Sequence, residues 1–381
     1  MNSKRKIKTF IVSHSCVIAI NRKVYLELAK FEDIDMMLFI PSFWKSDIRL
    51  KIESADNLEE NKEKIICGKP YFAGNGSLYF YGNQLKKALN RFNPEVVFID
   101  EEPWSLSALQ TVYYSSPYKP QIFFRTNQNL YKRYPFPFNY IQKYVFRSAT
   151  GGTVVSRECE NILRRHGFNK GVNVVPYTVD TDVFMRKDVN GLRSTLGLRA
   201  FIFGYMGRFT KEKGILTLLE ASYLLKNRNN DFKLFLVGDG DLRGDIEKFI
   251  KKMGIADIVI IHPSVSHSRA ADYLNCMDSF ILPSLTTKRW KEQFGRVIIE
   301  ALSCGVPVIG SDSGAIPELI NDIRGGIIFP EGNAVSLAEK MFQAMNDRNL
   351  RYELSRTGEK NVRDRYSIEA VAGMLHSILV K

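Results

Sequence analysis

The chain has 381 residues, 45% of them hydrophobic and 25% charged, with a formal net charge of +13. That composition excludes a disordered or collagen-like chain, and the length exceeds what one ordinary core fills, so two domains are expected. The longest apolar runs, FIFGYM and VVFID, fall well short of the roughly 18 to 20 residues that a membrane-spanning helix requires.

The opening KRKIKTFIVSHSCVIAI places basic residues before an apolar stretch, as signal peptides do. Ser13, His14 and Ser15 interrupt it and no small-x-small cleavage site follows, so it reads as a first strand at 8–12 and its loop. Further strands are expected at 36–40, 96–99, 121–124, 153–155 and 173–175, while 45–81 shows no readable period. The segment PYTVDTDVF at 176, followed by the polar KDVNGLRSTLG, marks the crossing to a second domain. From about residue 200, β-rich runs (FIFGYM at 201, KLFLV at 233, IVII at 258, SFIL at 279, PVIG at 307) alternate with helical segments at 214–226, 243–253, 294–303 and 334–345. Such alternation predicts a parallel sheet with helices on both faces. The predicted fold class is α/β: two Rossmann-like, doubly wound domains, 1–180 and 181–366, facing across a cleft and binding ligands at the carboxyl ends of their strands.

Charge is uneven along the chain. Residues 1–180 hold 26 Lys and Arg against 17 Asp and Glu, a net +9, whereas the remainder holds 28 against 24, a net +4. Between Lys119 and Lys170 ten basic residues meet only two acids, Glu158 and Glu160. The first half therefore either faces something anionic or keeps itself soluble. Residues 129–147 interleave seven aromatics with four basic residues, a mixture that suits a membrane interface or lipid-linked acceptor, and equally a half-buried helix pair with a basic rim. No nucleic-acid recognition module is visible.

Five scattered cysteines without CxxC spacing favour reduced thiols in a cytosolic protein, and the five histidines lack metal-ligand spacing. Asp-x-Asp triplets begin at Asp33, Asp180 and Asp239, and only the last sits at a strand end, where its glycine suits nucleotide approach as well as metal binding.

In the second domain each polar landmark ends a strand. Gly207-Arg208 leads through FTKEKG into a helix, which lets Arg208 and Lys213 converge on one anion. Gly238-Asp239 ends the next strand with a backbone open to a ligand. Phe294, Gly295, Arg296 and Val297 open a helix whose free N–H groups suit a phosphate. Glu292 before that helix and Glu300 within it are carboxylates in an apolar segment, and need hydrogen-bond donors there. Hydroxyls flanking a diphosphate would supply them, which describes a nucleotide sugar. For Glu300 the plainer reading is a bridge to Arg296, four residues earlier on the same helix.

Taken in order, GRFTKEKG, LVGDGDLR, ILPS, EQFGRVIIEALSCGVPVIGSDSGAIPE and GIIFPEGN resemble retaining glycosyltransferases of family 4, with the GT-B fold. The resemblance implies that Arg208 and Lys213 bind the donor diphosphate and neutralise the leaving group. It implies that Glu292 holds donor-sugar hydroxyls, that the backbone at 294–297 meets sugar or phosphate, and that Glu300 binds the ribose. No metal or other cofactor is expected, because the two cations act at the departing oxygen.

The first domain departs from the family pattern. SHSCVIAINRK lacks the usual Gly-Gly loop, and QIFFRTNQN carries Asn127 and Asn129 where many members have a His. IDEEPWSLSALQ and FFRTNQNLYKRYP resemble a subgroup in which Glu101, Glu102, Asn127 and Asn129 line the acceptor side. His14, at a strand end, is a further acceptor contact or simply a satisfied polar residue. The final SIEAVAGMLHSILVK, 367–381, resembles the helix that returns to the first domain.

The expected function is transfer of a hexose from a nucleotide-diphosphate sugar to a glycan or lipid-linked acceptor, in cell-surface polysaccharide or glycolipid synthesis. The expected location is the cytoplasm, with peripheral contact to the anionic inner face of the cytoplasmic membrane through the basic half. The rival readings are a nucleotide-sugar epimerase or sugar-phosphate synthase on the same fold, and a non-catalytic protein that binds anionic lipid or polymer.

Overall fold

Short runs of β-branched and aromatic residues, closed by glycine or polar turns, form two separate parallel sheets in the computed structural model. The structure describes residues 5–46, 51–55, 61–229 and 231–380. The chain divides into one unit of Met1–Pro176 with Ile368–Lys381 and a second of Tyr177–Ser367.

The first unit runs β1 (Ile7–Val12), α1 (Ala19–Leu28), β2 (Ile34–Pro41), β3 (Phe43–Ser46), β4 (Lys51–Ser54), β5 (Ile65–Gly68), α2 (Asn83–Phe92) and β6 (Val96–Ile99). It continues with α3 (Leu106–Ser115), β7 (Gln121–Thr126), α4 (Phe138–Ser148), β8 (Gly151–Val154), α5 (Arg157–Arg165) and β9 (Gly171–Val174). Its seven-stranded sheet has the order β5-β2-β1-β6-β7-β8-β9. Ile11 on β1 stands opposite Leu38 on one side and Phe98 on the other, and all three are fully buried. Strands covered on both faces need no polar alternation, which is why β6 reads VVFI without a break.

Within 45–81, residues 47–50 and 56–60 lie outside the described residues. The rest contains the antiparallel pair β3–β4, and β5, which adds an edge to the parallel sheet.

The second unit runs α6 (Asn190–Thr195), β10 (Phe201–Met206), α7 (Ile215–Lys226), β11 (Phe232–Val237), α8 (Arg243–Met253), β12 (Val259–His262), α9 (His267–Asn275) and β13 (Ser279–Leu282). It ends with α10 (Arg296–Ser303), β14 (Val308–Ser311), α11 (Ile316–Ile323), β15 (Gly326–Phe329), α12 (Ala334–Asn346) and α13 (Arg348–Tyr366). The six-stranded sheet is parallel throughout, in the order β12-β11-β10-β13-β14-β15. The helix expected from residue 294 begins two residues later, because Gly295 at φ +81 is its N-cap and Phe294 is buried.

The chain then returns to the first unit as α14 (Ile368–Leu379). Its buried residues, Ile368, Val371, Ala372, Leu375, Ile378 and Leu379, recur at helical spacing and form one stripe against α1. No helix among the described residues is long and apolar enough to cross a membrane.

Candidate functional site

The strand order of the second sheet reverses between β10 and β13, and open α/β sheets leave a crevice at the carboxyl ends of such a pair. Glycines allow the turns there to interlock. A Cβ on Gly238 would stand 1.9 Å from the Gly207 carbonyl oxygen, and the Phe209 N–H donates to the Asp239 carbonyl at 2.9 Å. Gly214, at φ +67, brings the next turn so close to β13 that a Cβ would stand 1.8 Å from the Pro283 carbonyl oxygen. These approaches deliver Lys213 to the end of β13.

There Lys213 Nζ donates to Glu292 Oε2 at 2.7 Å, and Ser284 Oγ donates to the same oxygen at 2.9 Å. The ammonium also lies 4.7 Å from the centroid of the Trp290 ring. Ala315 N–H donates to the Glu292 carbonyl at 3.0 Å, which fixes the backbone of this buried acid. Lys213 is thus held by a carboxylate, while Arg208 is exposed and offers its carbonyl oxygen to the Tyr205 hydroxyl at 2.8 Å. Asp239 Oδ1 accepts from the Gly240 N–H at 2.8 Å, so its side chain closes its own turn.

The first turn of α10 has neither an acidic residue nor a side-chain cap, which leaves its N–H groups and dipole to a ligand. Phe294 packs against Tyr177 and Tyr366, at centroid separations of 5.3 and 6.3 Å, so its side chain belongs to the core and only its backbone borders the helix start. Arg296 lies over the Tyr177 ring at 4.5 Å, and Val297 is half-buried. Glu300 is buried, its carbonyl accepts from the Cys304 N–H at 3.2 Å, and among the described residues no hydrogen bond reaches its carboxylate. Burial pushes its carboxyl up to about 7, against the opposing influence of Arg296.

In the first sheet the order reverses between β1 and β6, and a second polar cluster occupies that end. Glu101 is buried and receives both the His14 N–H, at 2.6 Å to Oε1, and ring Nδ1, at 2.5 Å from Oε2. Trp44 and Tyr79 flank the ring with centroids 4.7 and 5.6 Å away. Burial favours the neutral imidazole, but Glu101, helped by Asp100 and Glu102, outweighs it and raises the pKa above 6.5. Asp100 accepts from Ser13 Oγ at 2.7 Å and faces Arg125 at 3.6 Å.

Burial pushes Glu102 up to about 7, opposed by hydrogen bonds from Thr126 Oγ1 at 2.5 Å and the Asn127 N–H at 3.0 Å. Asn127 Oδ1 is buried without a partner. Asn129 is buried with its amide 3.5 Å from Glu158. His14, Glu101, Glu102 and Asn127 therefore share one neighbourhood, with Asn129 directed toward α5.

Sequence reasoning missed Trp290, Tyr177, Trp44 and Tyr79, and it used Ser284 only as part of ILPS. Trp290 stands two residues before Glu292, a signal within reach; Tyr79 falls inside the stretch 45–81 where no period is readable, and Trp44 just before it. The other acidic triplets have structural work: Asp33 meets His376 Nε2 at 2.8 Å, and Asp180 Oδ1 accepts the N–H groups of Asp182 and Val183.

Residues 193–361 match the family model of glycosyl transferases group 1, so the second unit carries a domain of that kind. Among curated proteins, the chain is 29% identical over 174 residues to the alpha-D-kanosaminyltransferase of Streptomyces kanamyceticus, covering 46% of this chain and 44% of that one. It is 29% identical over 181 residues to the capsular polysaccharide biosynthesis glycosyltransferase CapM of Staphylococcus aureus, covering 47% and 45%. The chain spans about half the length of the curated relatives it matches. Among solved structures, Anabaena HepE in complex with UDP superposes with a TM-score of 0.76 at 16% identity, covering 98% of this chain and 100% of that one. That likeness shows the fold, which is GT-B.

Proposed function

We propose that this chain, with a group 1 glycosyl transferase domain as its second unit, is a retaining glycosyltransferase of family 4. It moves a hexose from a nucleotide-diphosphate sugar to a glycan or lipid-linked acceptor in cell-surface polysaccharide or glycolipid synthesis. The observation that carries this reading is Glu300: a buried carboxylate that receives no hydrogen bond among the described residues, on a helix whose start has no side-chain cap. Native chains rarely leave such a group unsatisfied, and ribose hydroxyls would supply its donors.

In this reading the second unit binds the donor. Lys213 keeps one N–H on Glu292 and turns others to the diphosphate, together with Arg208 and the N–H groups at 295–297. Glu292 accepts from the hexose hydroxyls. The bond between the anomeric carbon and the phosphate oxygen breaks while the acceptor oxygen bonds to that carbon on the same face. The hydroxyl proton passes to the departing phosphate oxygen, whose charge Arg208 and Lys213 neutralise. This scheme uses no metal, and turnover is expected to survive EDTA.

The first unit binds the acceptor, with His14, Glu101, Glu102 and Asn127 offering a charged donor and several acceptors to a sugar. The enzyme works in the cytoplasm, against the inner face of the cytoplasmic membrane when the acceptor is lipid-linked. Capsular polysaccharide synthesis by a relative and UDP bound to a structural neighbour support this reading.

The test is donor turnover and nucleotide binding in Arg208→Ala, Lys213→Ala and Glu300→Ala. A loss of about 100-fold or more in kcat/KM is expected for Lys213→Ala, as for other transition-state charge contacts. Unimpaired transfer by all three variants rejects the site, and conversion of the donor without an acceptor marks an epimerase instead.

A further inference from the structure

The first unit carries three neighbouring helices that have no carboxylate of their own. No Asp or Glu occurs in 64–94 or in 103–157, stretches that hold five and seven Lys or Arg respectively. α2, α3 and α4 fall inside those stretches, and they lie side by side, α2 against α3 and α3 against α4. The next helix, α5, brings the acids back with Glu158 and Glu160.

The segments that carry these helices and the loops beside them also carry most of the exposed rings. Among the described residues, seven of the eight exposed aromatics lie between Tyr71 and Tyr144, although that span is about a fifth of the chain. Phe136 is 78% exposed, and Phe72, Tyr113 and Tyr140 are each more than 60% exposed. Lysines accompany them: Lys86 lies over Tyr114 at 5.9 Å and Lys143 over Tyr140 at 5.8 Å. Beside α3 a hollow of about 320 Å³ is lined by Phe80, Leu106, Leu109, Gln110, Tyr113 and Tyr114. Water is a poor neighbour for so much apolar surface, and the cations set among the rings favour an anionic partner.

We propose that the α2–α3–α4 face binds an anionic lipid bilayer. Lys86, Lys87, Lys143 and Arg147 meet the headgroups, Phe136 and Tyr140 enter the interface, and the hollow beside α3 takes an acyl or isoprenoid segment. Rings scattered over the outside of a helix layer fit a planar interface, whereas single-stranded nucleic acid needs rings in a groove that follows its backbone. The loops carrying Phe72 and Phe136 leave the carboxyl ends of β5 and β7, the end of the sheet that holds His14 and Glu101. A sugar anchored in the bilayer would thus be presented at the acceptor cluster. The proposal rests on the lipid-linked form of the acceptor, but its test needs neither donor nor acceptor.

Co-sedimentation of the full chain with vesicles of phosphatidylcholine alone, or mixed with phosphatidylglycerol, reads it directly. Binding is expected only to the mixed vesicles, and it should fall as salt rises. At about 1 kcal/mol per basic residue, Lys143→Gln with Arg147→Gln weakens binding roughly 30-fold. Phe136→Ser with Tyr140→Ser also weakens it, and Lys251→Gln with Lys252→Gln on α8 leaves it unchanged. All these positions are exposed, so folding is retained, and UDP-induced thermal stabilisation, unchanged in each variant, tests the donor site separately. Equal binding to uncharged vesicles, full binding by both face variants, release of the chain from vesicles by single-stranded RNA, or a lipid-free dimer abolished by these substitutions would each overturn the proposal.

Discussion

Replacing Glu300 with glutamine should make the protein more stable and less able to hold the proposed nucleotide, and pH separates the two effects. Burial moves the Glu300 carboxyl from an ordinary 4.5 up to about 7. Between those values the folded chain holds a proton that the unfolded chain has lost, so stability is full below 4.5, falls as pH rises through 7, and is level above. The gap, about 2.5 pH units at about 1.36 kcal/mol each, sets the cost of the ionised side chain near 3 kcal/mol at pH 8. Glutamine keeps the shape without the charge. Near pH 5, where the folded acid is almost fully protonated, Glu300→Gln and the parent should differ by less than about 1 kcal/mol. At pH 8 the variant should be more stable by roughly 3 kcal/mol, about 6 to 12 °C for a unit of this size.

A neutral amide is also a weaker acceptor for ribose hydroxyls, so UDP should bind the variant about 10- to 100-fold less tightly, the range for losing a hydrogen bond to a charged group. Bound hydroxyls stabilise the carboxylate, so UDP affinity of the parent should drop as pH falls below about 7. Differential scanning fluorimetry at both pH values, with and without UDP, measures all of this. A melting difference that is the same at pH 5 and pH 8 refutes the claim that burial burdens the acid. Equal stabilisation of both proteins by UDP refutes its role toward the nucleotide.

His14 should titrate above 6.5, and Glu101→Gln, which removes the main raising influence, should lower its pKa; ring NMR signals followed against pH check this, and an unmoved curve dismisses the pair. Stability contributed by that pair is complete below 6.5 and is lost as pH rises through the folded value. Gly214→Ala combines a left-handed φ with a Cβ driven into a carbonyl oxygen, so urea denaturation should show a loss of at least ~2 kcal/mol, and an unchanged midpoint would mean that the turn yields easily.

Much of the second unit was legible because its signals are local. SFIL at 279 and the helix at 243–253 are observed with those bounds, since an apolar run between turns and an amphipathic period each lie within a few residues. Glu292 and Glu300 stood out as acids in an apolar segment. The partner of Glu292 was not legible. Lys213 meets Glu292 across 79 positions and His14 meets Glu101 across 87, contacts that arise only once strand order brings two loops together. The antiparallel β3–β4 pair eluded the reading because FWKS and KIES mix charged with apolar residues and offer no continuous apolar run. The helix at 294 was misplaced by two residues because Gly295 reads as a helix residue until its backbone angle is known.

On the proposed reading, the pairing of Lys213 with Glu292 makes the crevice selective as well as receptive. An anion that took the ammonium alone would strand an acid with little water around it, whereas a sugar nucleotide offers an anion to one member and hydroxyls to the other. Inorganic diphosphate should therefore displace UDP-sugar poorly, and competition titration would expose the opposite. Discrimination of this kind would keep abundant cellular phosphates from occupying the enzyme between turnovers.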